Sequence, residues 1–360
     1  MRPLHVAGVV LPEEAQRDIY IVGDRLTYDP VTGAETIADR GFVLPGLVDA
    51  HCHIGIGRDS RPVESVAAAK DLALEDRHAG VLAIRDAGSP IDYRTLDDDP
   101  DVPRLIRCGR HLAPPRRYLP GLAIECTPDE LAGRVLEQAA AGTGWVKLVG
   151  DWIDRDIGDI GPTFDAAAVN QAVETAHGAG VRVAVHTFGE AAVEALVDAK
   201  VDSIEHGCGL DAGLLDRMAA QGTALVPTMV NVEWNFESIA AQAEARFPRF
   251  AASMRSAKDR FRDVVRAAFE AGVAIYTGSD AGGAVPHGRL VDEILLLHHA
   301  GLPATEAVAA GSWRAREWLG LASLAEGGPA DLAVYDADPR LDPRVLSDPR
   351  RIVLRGAVVR

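Results

Sequence analysis

The stretch GLVDAHCHIG, residues 46–55, ends an apolar run abruptly in two histidines. The apolar residues before them are typical of a buried strand. Because side chains alternate along a strand, His51 and His53 point to the same side and can bind one cation together. Asp49, two residues before His51, should face the same way and orient that imidazole. The stretch therefore predicts a strand that delivers two imidazoles to one site.

Seven more apolar runs follow, each ending in polar residues, and Ala-rich helical stretches alternate with them. The runs are VLAIRDAG, RLIRCGR, WVKLVGD, VRVAVHTFG, VDSIEHG, TALVPTMV and VAIYTGSDAG. Strands that alternate with helices indicate parallel strands joined by crossovers. Eight such units suit the ~250 residues of a (β/α)8 TIM barrel. A doubly wound open sheet would carry a Gly-rich phosphate loop after its first strand, and none is present.

Both ends of the chain differ from the middle. Residues 1–43 and 325–360 contain short strand-like runs separated by turns with Gly, Asp and Pro. Neither end has enough strands to bury a sheet face by itself. We therefore expect a small terminal β-sandwich made from both ends, and a barrel domain over residues 44–324.

The charge of the chain restricts its partners. It has 37 Lys and Arg against 53 Asp and Glu, a formal net charge of −16. This charge argues against nucleic acid or an anionic membrane as partner and suits a small-molecule substrate. No apolar run approaches ~20 residues, and no signal peptide is recognisable. The four cysteines form no CxxC motif, which favours the cytoplasm. A homo-oligomer is compatible with all of this.

The ends of the predicted barrel strands carry an unusual set of side chains. In such barrels the carboxyl ends of the strands form the active site. A single histidine there is often only a hydrogen-bonded structural residue, but a set of histidines with a carboxylate suits zinc or a similar divalent ion. The candidate residues are His51, His53, Lys147, His186, His206 and Asp280.

Lys147 lies in the apolar run WVKLV, where a charged ammonium group is costly to bury. Burial lowers the pKa of a lysine and so favours its neutral amine. A neutral amine can add carbon dioxide and become a carbamate, an anionic ligand able to bridge two metal ions. The alternative is a barrel lysine that pairs with an acidic side chain.

Together these motifs resemble the metal-dependent amidohydrolase superfamily in its binuclear, carboxylated-lysine form. The matching pieces are PGLVDAHCH, VKLVGD, VAVHTFG, SIEHG and TGSDAG, in the order expected for that family. GGPADLAVYDADP is similar to the family's return into its terminal β-sandwich. VLAIRDAG and VPTM resemble the branch that holds imidazolonepropionase-like proteins and Xaa-Pro dipeptidases.

The resemblance implies a pair of divalent ions, expected to be zinc. His51, His53 and Asp280 would hold one ion, and His186 and His206 the other. Carboxylated Lys147 would bridge them, and a hydroxide between the metals would attack the substrate. Asp280 would take the proton of the hydroxide and pass it to the leaving nitrogen.

Substrate contacts are expected from the loops at the same rim. The loop GRHLAPPRRYLPG, residues 109–121, is basic and lacks acidic residues. A guanidinium group would bind a substrate carboxylate by charge-assisted hydrogen bonds, although a solvated loop arginine is an equally good interpretation of each one. The candidates are His111, Arg116, Arg117, Tyr118, Trp152 and His287. Glu205 precedes His206, so alternation predicts that it turns away from the site.

The sequence therefore predicts a metal-dependent hydrolase of an amide C–N bond, acting on an N-acyl amino acid or a dipeptide. The alternative is hydrolysis of a cyclic amide, lactone or phosphotriester on the same metal pair. A deaminase fits less well, because mononuclear deaminases of the family lack the bridging lysine. A non-catalytic scaffold also fits less well, since such relatives lose metal ligands and this chain keeps all six.

Overall fold

A computed structural model describes residues 2–360. The strands are β1 (Leu4–Val10), β2 (Ala15–Val22), β3 (Arg25–Thr27), β4 (Glu35–Ala38), β5 (Phe42–Pro45), β6 (Leu47–Cys52), β7 (Val81–Asp86), β8 (Arg104–Arg107), β9 (His111–Ala113), β10 (Ile124–Glu125), β11 (Trp145–Val149), β12 (Asp151–Asp154), β13 (Asp159–Pro162), β14 (Arg182–Thr187), β15 (Ser203–His206), β16 (Ala224–Val226), β17 (Leu332–Tyr335), β18 (Arg351–Leu354) and β19 (Ala357–Val358).

The helices alternate with the central strands and then close the chain before its last three strands. They are α1 (Val66–His78), α2 (Pro128–Ala141), α3 (Ala166–Gly178), α4 (Glu190–Asp198), α5 (Ala212–Gln221), α6 (Met229–Ala243), α7 (Pro248–Glu270), α8 (Leu290–His299), α9 (Ala304–Ala310) and α10 (Trp313–Trp318). Within the described part of the chain, no helix combines the length and the apolar character needed to span a membrane.

Strands from both chain ends form one sheet, in the order β19–β18–β17–β5–β1–β2–β3 with β4 beside β1. β17 runs antiparallel to β5 and so joins the C-terminal strands to the N-terminal ones. Val6, Ile19 and Val353 share one buried apolar cluster, so residues from both ends contribute to it. The closure of this sheet into a sandwich and the predicted domain boundaries stay predictions.

Parallel strands alternate with helices through the middle of the chain, so the predicted mixed α/β fold is confirmed. The strands form two sheets, β6–β7–β8 and β10–β9–β11–β14–β15–β16. The last predicted strand, VAIYTGSDAG, is irregular: Ile275 bridges Leu225, and Ala281 bridges Cys52. Asp280 has a φ of 55°, a left-handed conformation that interrupts a regular ladder. The closed eight-stranded barrel stays a prediction.

The run FVLPGLVDAHCH divides into two strands that belong to different sheets. β5 lies in the sheet of the chain ends, whereas β6 pairs with β7. Gly46 separates them, and a Cβ atom there would lie 2.4 Å from the side chain of Leu82. Only glycine therefore allows the chain to pass this close to β7, and the run delivers His51 and His53 at the end of the second strand.

Asp331 is a buried carboxylate between the two parts of the fold. It lies just before β17 and accepts hydrogen bonds from Arg104 of β8 and Arg316 of α10, and from the backbone N–H of Arg355. Burial by itself would raise the pKa of Asp331, but the hydrogen bonds and charges of Arg104 and Arg316 outweigh it and hold that pKa below its usual value. The Arg316 side chain is also buried, so removing either charge would leave the other one buried without compensation.

We expect Asp331→Asn to lower the free energy of unfolding at neutral pH by about 3 kcal/mol or more, since it leaves a buried guanidinium group unpaired. Urea unfolding followed by circular dichroism measures this loss. A group with a lowered folded-state pKa stabilises above its unfolded pKa, so the difference from the wild type should shrink as pH falls below 3.8.

Asp348→Asn is the matched control, because Asp348 pairs with Arg360 at an exposed position and should cost less than about 1 kcal/mol. Equal stability losses in the two variants would contradict the role of Asp331.

Candidate metal centre

Two imidazoles and one carboxylate converge where β6 ends. The Nε2 atoms of His51 and His53 lie 3.2 and 3.1 Å from Oδ1 of Asp280. The donor atoms of the three side chains all lie within 4.8 Å of one another. Both histidines are buried, whereas Asp280 keeps 15% of its side chain exposed. This donor set fits a divalent cation such as zinc.

The Nδ1 atom of each of these two imidazoles lies next to a hydrogen-bond acceptor. Nδ1 of His51 lies 2.6 Å from Oε2 of Glu205, and Nδ1 of His53 lies 2.8 Å from the carbonyl oxygen of Gly88. An acceptor at Nδ1 places the ring proton there and leaves the Nε2 lone pair free. Both rings therefore present an Nε2 lone pair on the side of Asp280, where a cation would accept it.

Glu205 is the residue whose position the sequence pattern predicts wrongly. Strict alternation turns it away from the site, yet its carboxylate accepts hydrogen bonds from Arg85 at 2.8 Å and contacts His51. His206 has a φ of 65°, so the strand leaves the regular β conformation at the next residue. Both Glu205 and His206 can then serve the same site. Burial would raise the pKa of Glu205, but Arg85 and Lys147 hold it well below its usual value.

A second pair of imidazoles comes from β14 and β15. Nδ1 of His186 lies 2.9 Å from Nε2 of His206, and Nδ1 of His206 lies 2.6 Å from the hydroxyl oxygen of Thr228. Nε2 of His186 is buried without a hydrogen-bond partner, with Oδ1 of Asp151 3.9 Å away. Burial holds the pKa of both imidazoles well below the usual value, so both are neutral. Neutral imidazoles facing each other fit a shared cation.

Lys147 lies on β11, between His111 of β9 and Ala184 of β14 in the sheet. The side chain is 1% exposed, and Nζ has no hydrogen-bond partner among the described residues. Burial lowers the pKa of Lys147 to about 8, which brings a neutral amine within reach near neutral pH. An orphaned buried amine is an unfavourable arrangement by itself and fits a lysine that acquires a ligand or a modification.

The two groups of donors are neighbours. The ring centroids of His51 and His206 are 5.1 Å apart, and Oδ2 of Asp280 lies 4.0 Å from Nδ1 of His206. The charge of Lys147 is close enough to affect the pKa of His186 and His206. The structure therefore brings together His51, His53, His186, His206 and Asp280, and Lys147 lies on β11 next to β14, the strand that carries His186.

The first turn of α6 supports this cluster from a direction that the sequence analysis missed. Thr228, just before the helix, contacts His206, and Nδ2 of Asn231 donates to Oδ2 of Asp280 at 2.6 Å. Buried Glu293 accepts the backbone N–H of Val230 at 2.8 Å and so fixes the start of the helix. In the sequence, the polar residues that follow the apolar run TALVPTMV could have indicated that this segment contacts the site.

Asp49 contributes through the backbone and not through an imidazole. Its carboxylate accepts hydrogen bonds from the N–H groups of His51 and Ser279 and from the Ser279 hydroxyl, at 2.5–3.1 Å. Asp49 therefore ties β6 to the segment that carries Asp280. The prediction that it orients the His51 imidazole is not met: Asp49 contacts the main chain of His51, and Glu205 contacts the ring.

Three of the predicted substrate residues lie beside the imidazoles. The ring of His111 is 5.2 Å from that of His53, and Tyr118 is 4.8 Å from His111. Trp152 lies 5.4 Å from the ring of His186 and 4.8 Å from Tyr118. These side chains therefore lie next to the predicted ligands.

The other three predicted substrate residues do not contact these imidazoles. Arg117 pairs with Asp154 at 3.0 Å, and Arg116 is exposed. His287 is buried against α1, where Nδ1 lies 2.7 Å from Oδ2 of Asp76. Its ligand atoms group with Asp76 and Cys52 and not with His51 and His53. His287 is separated from the candidate ligands because it lies on the side of β6 that Cys52 faces, and alternation places His51 and His53 on the other side.

Comparison with known proteins agrees with this geometry. The sequence model of the amidohydrolase family matches residues 42–359. An uncharacterised protein of Mycobacterium tuberculosis is 48% identical over 354 residues, which cover 98% of this chain and 95% of the relative. A solved putative prolidase from Bifidobacterium longum is 23% identical with a TM-score of 0.84, covering 99% of this chain and 94% of the other. An Xaa-Pro dipeptidase with bound methionine is 22% identical with a TM-score of 0.82, covering 99% of both chains. The chain therefore belongs to the amidohydrolase family and is a hydrolase.

Proposed function

We propose that the protein hydrolyses an amide C–N bond with two divalent cations. His51, His53 and Asp280 would hold one cation, and His186 and His206 the other, with Lys147 between them as a carbamate formed with carbon dioxide. The observation that supports this most directly is that imidazole nitrogens converge at two places. Nε2 of His51 and of His53 meet at Asp280, and Nδ1 of His186 meets Nε2 of His206. Nitrogen donors with a carboxylate favour zinc.

The framework of this proposal is a closed (β/α)8 barrel, which places every strand end at one rim. The segment that carries Asp280 supports closure, because it bonds to strands on both sides. The N–H of Tyr276 donates to the carbonyl of Leu225 at 3.0 Å, and the N–H of Asp280 donates to the carbonyl of His51 at 2.7 Å. Such a ring leaves no edge strand exposed.

The residues divide the chemical work between them. When bound, divalent cations lower the pKa of water and polarise the scissile carbonyl. The Asp280 carboxylate would accept the proton of the attacking water and return it to the leaving nitrogen. Asn231 holds Oδ2 of Asp280 by a 2.6 Å hydrogen bond, so Oδ1 stays directed at the two histidines. Glu205 and Gly88 fix the imidazoles so that no reorientation is needed during reaction.

An N-acyl amino acid or a dipeptide is the proposed substrate. The fold likeness to an Xaa-Pro dipeptidase supports a dipeptide. A cyclic amide, lactone or phosphotriester on the same metal pair is the alternative. The six retained ligands favour an enzyme over a non-catalytic scaffold. Free cysteines at all four positions favour the cytoplasm, and the acidic chain favours a small-molecule substrate over nucleic acid or a membrane.

The metal proposal predicts a stoichiometry. Protein supplied with zinc and bicarbonate should bind close to two equivalents of metal by elemental analysis, because each nitrogen set can hold one ion. Lys147→Met should lose most of the metal, since it removes the bridging group. His177→Ala, an exposed position paired with Asp202, serves as control and should bind as the wild type does. Full metal content and activity in Lys147→Met would refute the bridge.

The proton transfer is tested at Asp280. A positioned acid–base group contributes about 10²- to 10⁴-fold, so Asp280→Asn should lower kcat by that range or more. Steady-state kinetics gives kcat, and elemental analysis of the same samples separates a lost proton acceptor from lost metal. Asp156→Asn, on the neighbouring β12–β13 hairpin, is the control for general damage. If kcat falls by less than about tenfold, another group moves the proton.

The substrate charge is tested at Arg116, whose side chain is exposed on the loop after β9. A charge-assisted hydrogen bond is worth ~1.5–3 kcal/mol, so Arg116→Ala should lower kcat/KM for acid substrates by about 10- to 150-fold. The same substitution should barely affect the corresponding methyl amides. If acids and methyl amides are hydrolysed equally well by the wild type, the neutral cyclic-amide or lactone alternative becomes the better one.

A further inference from the structure

Three aromatic side chains line the metal-site imidazoles without being buried themselves. Tyr118, Trp152 and Phe188 are partly exposed, each on a different segment of the rim. The ring of His186 lies 5.9 Å from Tyr118, 5.4 Å from Trp152 and 4.3 Å from Phe188. Partly exposed aromatic rings that converge beside a candidate reactive centre suit a surface that recognises a ligand.

Tyr118, Trp152 and Phe188 form an aromatic wall, and contacts with neighbouring rings hold each of them in place. Phe188 packs at 4.8 Å against Phe236, which is fully buried in α6. Tyr118 and Trp152 meet edge to face at 4.8 Å, and the Tyr118 hydroxyl lies 3.3 Å from Nε2 of His111. Edge-to-face pairing fixes the orientation of both rings, and the partial exposure of Tyr118 and Trp152 leaves part of their surface available to a ligand.

Arg117 holds the two segments of this wall together. Its guanidinium group pairs with Asp154 at 3.0 Å and donates to the carbonyl oxygens of Gly161 and Pro162 at 2.9 and 3.1 Å. It also donates to the carbonyl of Trp152 at 3.3 Å. Arg117 therefore links the loop of Tyr118 to the β12–β13 hairpin. Its charge is already matched by Asp154, so it offers little to a substrate carboxylate.

We propose that this wall selects substrates with an uncharged aromatic group beside the scissile amide, and that Arg117 is a positioning residue for the wall. The proposal rests on the amide hydrolysis proposed above and specifies its substrate. A flat apolar ring gains burial and edge or face contacts with Tyr118 and Trp152. A carboxylate in the same place would lose water and face the negative π surfaces.

The first test compares N-benzoyl and N-acetyl forms of one amino acid, and both again as methyl amides. The wild type should favour benzoyl over acetyl by about tenfold or more in kcat/KM, from ring contacts and burial. Trp152→Ala should reduce that preference to about threefold or less. Trp234→Ala is the matched control, since Trp234 is exposed on α6 and contacts Arg289 and no metal-site imidazole. Equal preference in Trp152→Ala and the wild type overturns the proposal.

The second test separates the two roles available to Arg117. As a positioning residue, Arg117→Ala should weaken the benzoyl preference by the same factor for acids and for methyl amides. Asp154→Asn should reproduce that effect, because it breaks the same link. If Arg117→Ala instead impairs only the acids and Asp154→Asn has no effect, Arg117 binds a substrate carboxylate and the proposal is wrong.

Binding without turnover keeps this proposal distinct from the proposed activity. Quenching of tryptophan fluorescence by benzamide should occur in the wild type and be lost in Trp152→Ala, whether or not any amide is hydrolysed. Quenching without hydrolysis supports the wall and refutes the activity. Hydrolysis without quenching and without a benzoyl preference supports the activity and refutes the wall.

Discussion

The contact between Glu205 and His51 is the constraint on which the rest of the site depends. Glu205 is fully buried, and its carboxylate is balanced by two hydrogen bonds from Arg85 and by the ring of His51. Arg85 in turn lies over the rings of Trp145 and Trp318, at 4.4 and 4.9 Å. A buried carboxylate is tolerated only with such compensation, so these contacts fix β6, β7 and β15 relative to one another. The position of His51 follows from that arrangement.

The same logic extends to the other ligands. Each buried imidazole has two nitrogens, and only an acceptor at one of them decides which lone pair faces inward. Gly88 does this for His53, and Thr228 does it for His206. For His186 the partner at Nδ1 is Nε2 of His206 at 2.9 Å, and its Nε2 lies 3.9 Å from Oδ1 of Asp151. Asp151 itself is held by hydrogen bonds from the Thr187 hydroxyl and the N–H groups of Phe188 and Gly189, so the position of this carboxylate is fixed beside the ring.

The grouping of the candidate ligands could be predicted from the sequence because their signal is repeated: a polar residue at the end of each apolar run. Their partners could not. Glu205 reaches His51 only because His206 adopts a left-handed conformation, which no period-two pattern contains. Arg117 was predicted to face a substrate because its loop lacks acidic residues, but Asp154 comes from a hairpin 37 positions away. Contacts between distant loops depend on tertiary geometry, whereas strand-end positions depend on local periodicity.

Access to the cluster follows from the burial of its members. Of the six predicted ligands, all of which lie in the described part of the chain, five are buried, and Asp280 alone retains a partly exposed side chain. Asp280 is therefore the predicted ligand that a substrate could reach most directly from solvent, and Tyr118, Trp152 and Phe188 are the partly exposed rings beside the same cluster. If the rings bind one group of the substrate, as proposed, that group would also set where the scissile nitrogen lies relative to Asp280. The proposed selectivity and the proposed proton transfer would then be coupled by geometry, since a substrate without that group would also lack the contact that aligns it.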